Sequence, residues 1–179
     1  MTTIQTFSGL QFELRRAGKD DAALLREFWR HVSSANLRAR YIGIDDPRDA
    51  AGSALHEDDG PTAMFLAFGA DPAVICVGLL VEHADGERAR VMVFTREGIT
   101  AHGVSWAVLE LLLSEARNAG VQTVTSVFNV KDARAIRLER GMGFVERPYP
   151  GHADYRLLEW NLSQSSASVQ PVIRESIPG

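Results

Sequence analysis

Few side chains in this sequence have a type and spacing suited to chemistry. The five histidines, His31, His56, His83, His102 and His152, show none of the short fixed intervals that bring two imidazoles onto one metal. Cys76 is the only cysteine, so no thiolate zinc site can form, and no metal centre is expected. Cys76 also lies inside an apolar run, residues 74–80, and reads as a core residue rather than a nucleophile. The Gly-x-Gly-x-x-Gly dinucleotide fingerprint is absent. One stretch remains that could hold an anion. Residues 100–105, Thr100-Ala101-His102-Gly103-Val104-Ser105, follow a strand-like run and open a long amphipathic helix. Backbone N–H groups left unpaired at a helix mouth, together with the helix dipole, favour a phosphate there. Gly103 would let the backbone approach it closely.

The elements that must position such a site follow from periodicity. Residues 12–15 read as a strand, and Lys19-Asp20-Asp21 opens a helix with Asp20 as its cap. Leu24, Leu25, Phe28, Trp29 and Val32 recur at helical spacing and define its buried face. Residues 33–60 are less regular and contain the acidic run His56-Glu57-Asp58-Asp59, a hydrated loop by composition. Three strand-like runs come next, at 63–69, 73–83 and 88–95. Ala84-Asp85-Gly86-Glu87 joins the last two, and an Asp-Gly pair between apolar runs signals a hairpin. That register sets His83 opposite Arg88 and Val81 opposite Arg90, so His83 shares a face with Arg90, about 7 Å away on the diagonal. A helix over 103–119 carries a wide apolar stripe and ends at Gly120. Then come a strand (121–128), a short helix (132–140) capped by Asp132 and ended by Gly141, and two strands at 144–147 and 154–161. Residues 163–179 are Ser-rich and read as a loose, disordered tail. This order implies a mixed sheet with helices on its faces, an α/β (mixed α+β) architecture.

Composition narrows the function classes. A chain of 179 residues fits one domain, and 45 % hydrophobic residues supply a sizeable core. A net charge of −4 argues against nucleic acid as the main partner, because phosphate contacts rely on lysine and arginine. No run approaches the roughly 20 apolar residues of a membrane span. The N-terminal residues lack a secretory signal pattern. With one cysteine, a reducing cytoplasm is the expected location.

Several segments together carry a family likeness. Gly103-Val104-Ser105-Trp106-Ala107-Val108-Leu109, followed by Glu115-Ala116-Arg117-Asn118-Ala119-Gly120-Val121, resembles the acetyl-CoA-binding motif of the Gcn5-related N-acetyltransferases (GNAT superfamily). Downstream, residues 132–144, Asp132-Ala133-Arg134-Ala135-Ile136-Arg137-Leu138-Glu139-Arg140-Gly141-Met142-Gly143-Phe144, are similar to the family's Asn-x-x-Ala/Met…Leu-Gly-Phe segment. Upstream, Glu13-Leu14-Arg15-Arg16-Ala17-Gly18-Lys19-Asp20-Asp21 is similar to its opening strand and helix, and Leu37-Arg38-Ala39-Arg40-Tyr41 looks like the bacterial branch that includes protein-lysine acetyltransferases.

The resemblance implies a single GNAT-type domain over residues 1–162, with a mostly antiparallel mixed sheet flanked by helices. It implies acetyl-CoA as co-substrate and direct transfer of the acetyl group to an amine, on a protein lysine or a small molecule; a homodimer is compatible with it. It would set the coenzyme A pyrophosphate on Thr100, Ala101, His102, Gly103, Val104 and Ser105, and its pantetheine arm along Val93, Phe94 and Thr95, with Asp132 near the cofactor. The chain also departs from the pattern. Thr100 stands where the family has Gln or Arg, Arg90 where many relatives have a catalytic glutamate, and Glu139 where a general-acid tyrosine is frequent. His83 is then the candidate base, with a reference pKa of about 6.5, and Tyr155 or Tyr149 the candidate acid. The same departures motivate a second expectation, a catalytically inactive GNAT-fold binding or regulatory module.

Overall fold

Long apolar runs that lack helical period form strands buried on both faces when helices cover both sides of a sheet. The runs at 63–68 and 74–80 do this in the computed structural model, which describes residues 2–5, 11–33, 37, 63–69, 71–99 and 103–164. The strands are β1 (Thr2–Gln5), β2 (Gln11–Arg16), β3 (Ala63–Phe68), β4 (Val74–Glu82), β5 (Arg88–Thr95), β6 (Thr123–Asn129), β7 (Val145–Pro148) and β8 (Tyr155–Asn161). The helices are α1 (Ala22–Arg30), α2 (Val104–Asn118) and α3 (Ala133–Met142). The eight strands among the described residues form one sheet in the order β1-β2-β3-β4-β5-β6-β8-β7. Every neighbouring pair is antiparallel except β5 and β6, which run parallel because α2 carries the chain across between them.

The alternation of side chains across the sheet creates two cores. On one face Leu80, Val91, Val93 and Phe128 pack with Val108, Leu109 and Leu112 of α2 and with Ile136 of α3. On the other, Leu66, Leu79, Met92 and Phe94 pack under Leu25, Phe28 and Trp29 of α1 and under Leu37. Trp29 stands edge-on to Phe94, with ring centroids 5.1 Å apart. Gly78, in the middle of β4, sets the distance between α2 and the sheet. A Cβ there would lie 2.4 Å from Val108 Cγ1 and 3.0 Å from Leu112 Cδ1, so the helix rests where a side chain would otherwise stand.

The hairpin register is as the Asp-Gly pair predicts: Val81 faces Arg90, and the His83 N–H donates to the Arg88 carbonyl at 2.8 Å. Gly86, at φ 67°, follows the turn closed by its own N–H to the His83 carbonyl. Cys76 is fully buried. Other expectations need correction. The N-terminal residues Thr2–Gln5 form a strand that no local pattern announces, because its partner β2 supplies the pairing. Leu24 is 37 % exposed, at the margin of the α1 face rather than within it. Asp20 does not cap the first helix. A 3₁₀ turn, Lys19–Asp21, precedes α1, and it is Asp21 whose carboxylate accepts the Gly18 N–H at 2.7 Å. Gly141 lies inside α3, which ends instead at Gly143 (φ 117°), where the left-handed conformation favours glycine. Residues 38–62 and 165–179, including the acidic run and most of the expected tail, lie outside the described residues. Among those described, no helix is long and apolar enough to cross a membrane.

Two outcomes follow from these contacts. Gly78→Val should destabilise the fold by about 1–3 kcal/mol through overpacking against α2, read as a lower urea midpoint with an unchanged slope. Asp21 is buried and receives both Arg15 Nη groups at 2.7 Å, a fork that, helped by the Gly18 N–H, holds its carboxyl below the usual range despite the opposing effect of burial. Its contribution is therefore present above the unfolded carboxylate value and lost as pH falls through the lower folded one. Asp21→Asn should cost about 1–3 kcal/mol at neutral pH, and the gap from wild type should close below about pH 4. A gap that persists at acid pH would refute the assignment.

Candidate functional site

Parallel strands β5 and β6 pair over only three positions: Arg88 with Thr123, Ala89 with Val124, and Arg90 with Thr125. Beyond Arg90 the two strands part. The outer edge of β5 stays paired with β4 as far as Thr95, and the outer edge of β6 stays paired with β8 as far as Asn129. The opening therefore lies between β5 and β6 alone, at their carboxyl ends, the usual place for a ligand crevice where a sheet changes direction. Its vertex is at Arg90 and Thr125.

A narrow cavity of about 80 Å³ occupies this wedge. Val93 and Thr95 line it from β5, Ser105 and Leu109 from α2, and Phe128 from β6; Asp132, Arg134, Ala135, Leu138 and Glu139 close it from the α3 side. Gly103 caps α2 at φ 75°, ψ 0°, in the left-handed region, and carries no side chain to accept from the first turn. The N–H groups that open this helix have no intrahelical acceptor, and a helix start of this kind suits an anion. Asp132 caps α3 by accepting the Ala135 N–H at 3.4 Å.

The wedge also concentrates buried polarity. Among the described residues the buried polar side chains are Asp21, Thr95, Ser126 and Glu139; Asp21 is held by Arg15, Thr95 and Glu139 line the wedge, and Ser126 is bonded to Glu139. Ser126 is the first β6 residue beyond the vertex, 1 % exposed, and its hydroxyl donates to Glu139 Oε2 of α3, which is 3 % exposed. A further acidic group lies on α2 outside the cavity. Burial pushes the Glu110 carboxyl above the ordinary range, opposed by the hydrogen bond that Trp106 Nε1 donates to it at 2.8 Å.

The residues expected to hold a cofactor are partly assembled here. Val93, Thr95, Ser105 and Asp132 all line the wedge, and Gly103 stands at its helix mouth. Val104 is buried in the core as the first residue of α2. The Phe94 side chain packs on Trp29 in the opposite core, because alternate strand residues face opposite sides. Thr100, Ala101 and His102 lie outside the described residues. The two expected catalytic groups are not brought together. His83 is exposed at the end of the β4–β5 hairpin, while Tyr155 is half-buried opposite Asn129, its ring 6.0 Å from that of His152. Counted along β6, their registers differ by six residues, about 20 Å at the usual strand rise. Leu109 and Leu138 belong to the two motif segments, whereas Phe128 and Ser126 of β6 carry no local signal of a site. Glu139 did carry a signal: it stands three residues after Ile136 and three before Met142, a charge on the buried face of a short helix.

No protein-family model matches the chain, and no curated protein sequence does. Solved structures do. The GNAT domain of S. lividans PAT superposes with a TM-score of 0.76 at 19 % identity, covering 89 % of this chain and 96 % of that one. The structure of yncA from Salmonella typhimurium with its cofactor acetyl-CoA gives 0.66 at 20 % identity, covering 87 % and 96 %. The paia N-acetyltransferase of Thermoplasma acidophilum, in complex with coenzyme A, gives 0.64 at 12 % identity, covering 84 % and 98 %. The chain has the Gcn5-related N-acetyltransferase fold, as its motifs imply.

The helix mouth yields its own expectation. Gly103→Ala forces a Cβ into the left-handed region and should cost about 1–2 kcal/mol of stability, measured by urea unfolding. A cost near zero would show that the α2 start does not need the glycine conformation.

Proposed function

We propose that this protein is an N-acetyltransferase that takes acetyl-CoA as co-substrate and passes the acetyl group directly to an amine. The observation that carries the reading is the wedge between β5 and β6, with the glycine-capped start of α2 at one end and a buried polar pair at the other. In this reading the pyrophosphate lies against the first amides of α2, joined by the backbone of Thr100, Ala101 and His102. The amide-bearing pantetheine arm adds to the inner edge of Val93, Phe94 and Thr95 as a short extra strand would. The thioester then reaches the vertex beside Arg90, where the strands close. The GNAT fold and the order of motifs along the chain support this arrangement.

At the vertex the amine must be neutral to attack, because its lone pair forms the new C–N bond. An arginine cannot remove its proton at ordinary pH, so Arg90 does not supply the base. His83 is the proposed base; its register lies two residues from Arg90, on the same sheet face. Tyr155, about 13 Å beyond the vertex along β6, would serve a thioester held nearer the wedge mouth. The acceptor in this reading is a protein lysine or a small-molecule amine, as in the bacterial protein-lysine branch that residues 37–41 resemble. The proposed setting is the cytoplasm, with residues 1–162 as the acyltransferase domain and 163–179 as a tail.

Arg90 at the vertex favours one second reading, a GNAT-fold module that binds acyl-CoA without turnover. Titration calorimetry separates both from an empty fold. Acetyl-CoA at 100 times its dissociation constant should add about 2.7 kcal/mol of stability, with measurable heat. No heat and no thermal shift at millimolar ligand would overturn both readings. Release of free coenzyme A thiol across a panel of amines supports transfer, and binding without release supports the module.

A further inference from the structure

We propose that the β1 edge of the sheet is a pairing surface for a second copy of this chain, the two β1 strands running antiparallel about a twofold axis. The two ends of the sheet differ in a way that points to this partner. β1 and β7 are the terminal strands, so each carries backbone groups that no described strand meets. Such edges invite pairing unless charges, prolines or bulges blunt them.

β7 is blunted. All four of its residues are exposed, and they include Glu146, Arg147 and Pro148. The Tyr149 N–H donates to the Tyr155 carbonyl at 3.3 Å, so odd-numbered residues turn their backbone groups toward β8 and Pro148 sits at an outward position. There the missing N–H leaves the β8 ladder intact and denies a partner its donor. Twofold antiparallel pairing joins outward residues to outward residues, so the central residue meets its own copy. In the two registers with most overlap, β7 would set Glu146 against Glu146 or Arg147 against Arg147. Like charges directly opposite are destabilising.

β1 carries none of these devices. Thr2-Thr3-Ile4-Gln5 holds no charge and no proline, and its threonines and isoleucine are β-branched residues that suit a pleated strand. Every twofold register within this segment sets an uncharged residue opposite an uncharged one. Beside the edge lies an open groove of about 640 Å³, lined by Thr3, Glu13, Arg15, Leu24 and Phe68 among others. Leu24 is one of two large hydrophobic side chains left exposed among the described residues; the other, Val145, is on the blunted strand. A partner strand laid along β1 would wall this groove on its open side. Arg15 is held by Asp21 and lies 4.9 Å over the Phe68 ring, so its charge is satisfied within one copy. Glu13 stands one strand in from the edge, opposite Thr3. The Glu13 side chains of the two copies would be three strand spacings apart, about 14 Å, beyond a screening length of about 8 Å. Charge therefore permits twofold pairing at β1 and opposes it at β7.

The test is sedimentation velocity on the full chain from micromolar to millimolar concentration, with hydrogen exchange on the same samples. Neither readout involves acetyl-CoA, so the result is independent of the acyltransferase reading. The interface is small, so a weak dimer that grows with concentration is expected. Amides of Thr2–Gln5 should exchange more slowly as the dimer fills, while the Glu146 amide on β7 keeps its rate. The double variant Thr3→Lys, Gln5→Lys sets like charges against each other and should raise the dimer Kd about tenfold. Val145→Lys should leave that Kd unchanged. A chain that stays monomeric at millimolar concentration overturns the proposal. So does a dimer whose Kd the double variant does not move, since it forms through another surface. If the double variant does not fold, exchange in wild type decides: a dimer that forms without added protection at Thr2–Gln5 overturns the proposal.

Discussion

Backbone donors and acceptors inside a sheet have to find partners, so two neighbouring strands that stop pairing partway need a reason to stop and something to meet their edges. Here β5 and β6 part after three pairs, and each is held on its outer side along its remaining length, β5 by β4 and β6 by β8. The sheet is thus two firmly paired halves joined along a short seam. The seam is short although one continuous core under α2 and α3 takes in residues of both halves. α2 lies on the half that contains β4, seated over Gly78, and α3 approaches β6 through the Ser126–Glu139 hydrogen bond. The cavity is a consequence of this opposed anchoring.

The two faces of the sheet divide the work. On the α1 face, Trp29 meets Phe28 and Phe94 edge to face within an apolar core. On the α2 face the helix comes so close that a strand position must be glycine. That closeness brings the mouth of α2 to the end of β5, so Ser105 and Thr95 border one cavity. Buried polarity follows the same division. Away from the Arg15–Asp21 fork, Thr95, Ser126 and Glu139 gather at the wedge, where a polar ligand would share their cost of desolvation.

Local signals made much of this legible in the sequence. The Asp85-Gly86 pair fixes the β4–β5 register, the apolar run around Cys76 marks a central strand, and Gly103 marks the start of α2. Each is a short-range effect of turn chemistry or period. The failures are of another kind. β1 exists because β2 offers an edge, and α3 runs past Gly141 because Gly143 can take the left-handed cap beside Trp160. The wedge itself leaves no local trace. Where a parallel pair stops is decided by what anchors each strand on its far side, and those anchors, β4 and β8, are distant in the chain. The separation of His83 and Tyr155 was hidden for the same reason, since it depends on the β5–β6 register and not on either residue's neighbours.

Main-chain and side-chain chemistry are therefore separable at this site. The features that shape the wedge are the strand edges from Val91 to Thr95, the amides that open α2 and a glycine in the left-handed region; only the last restricts a residue type. Side chains around them can change without closing the opening. Proton handling has no such insurance, because it depends on which groups stand at the vertex. Arg90, which cannot take a proton there, and Glu139, buried beside Ser126, alter that second layer while leaving the first intact. A sequence can thus lose most of a side-chain signature and keep the shape that binds.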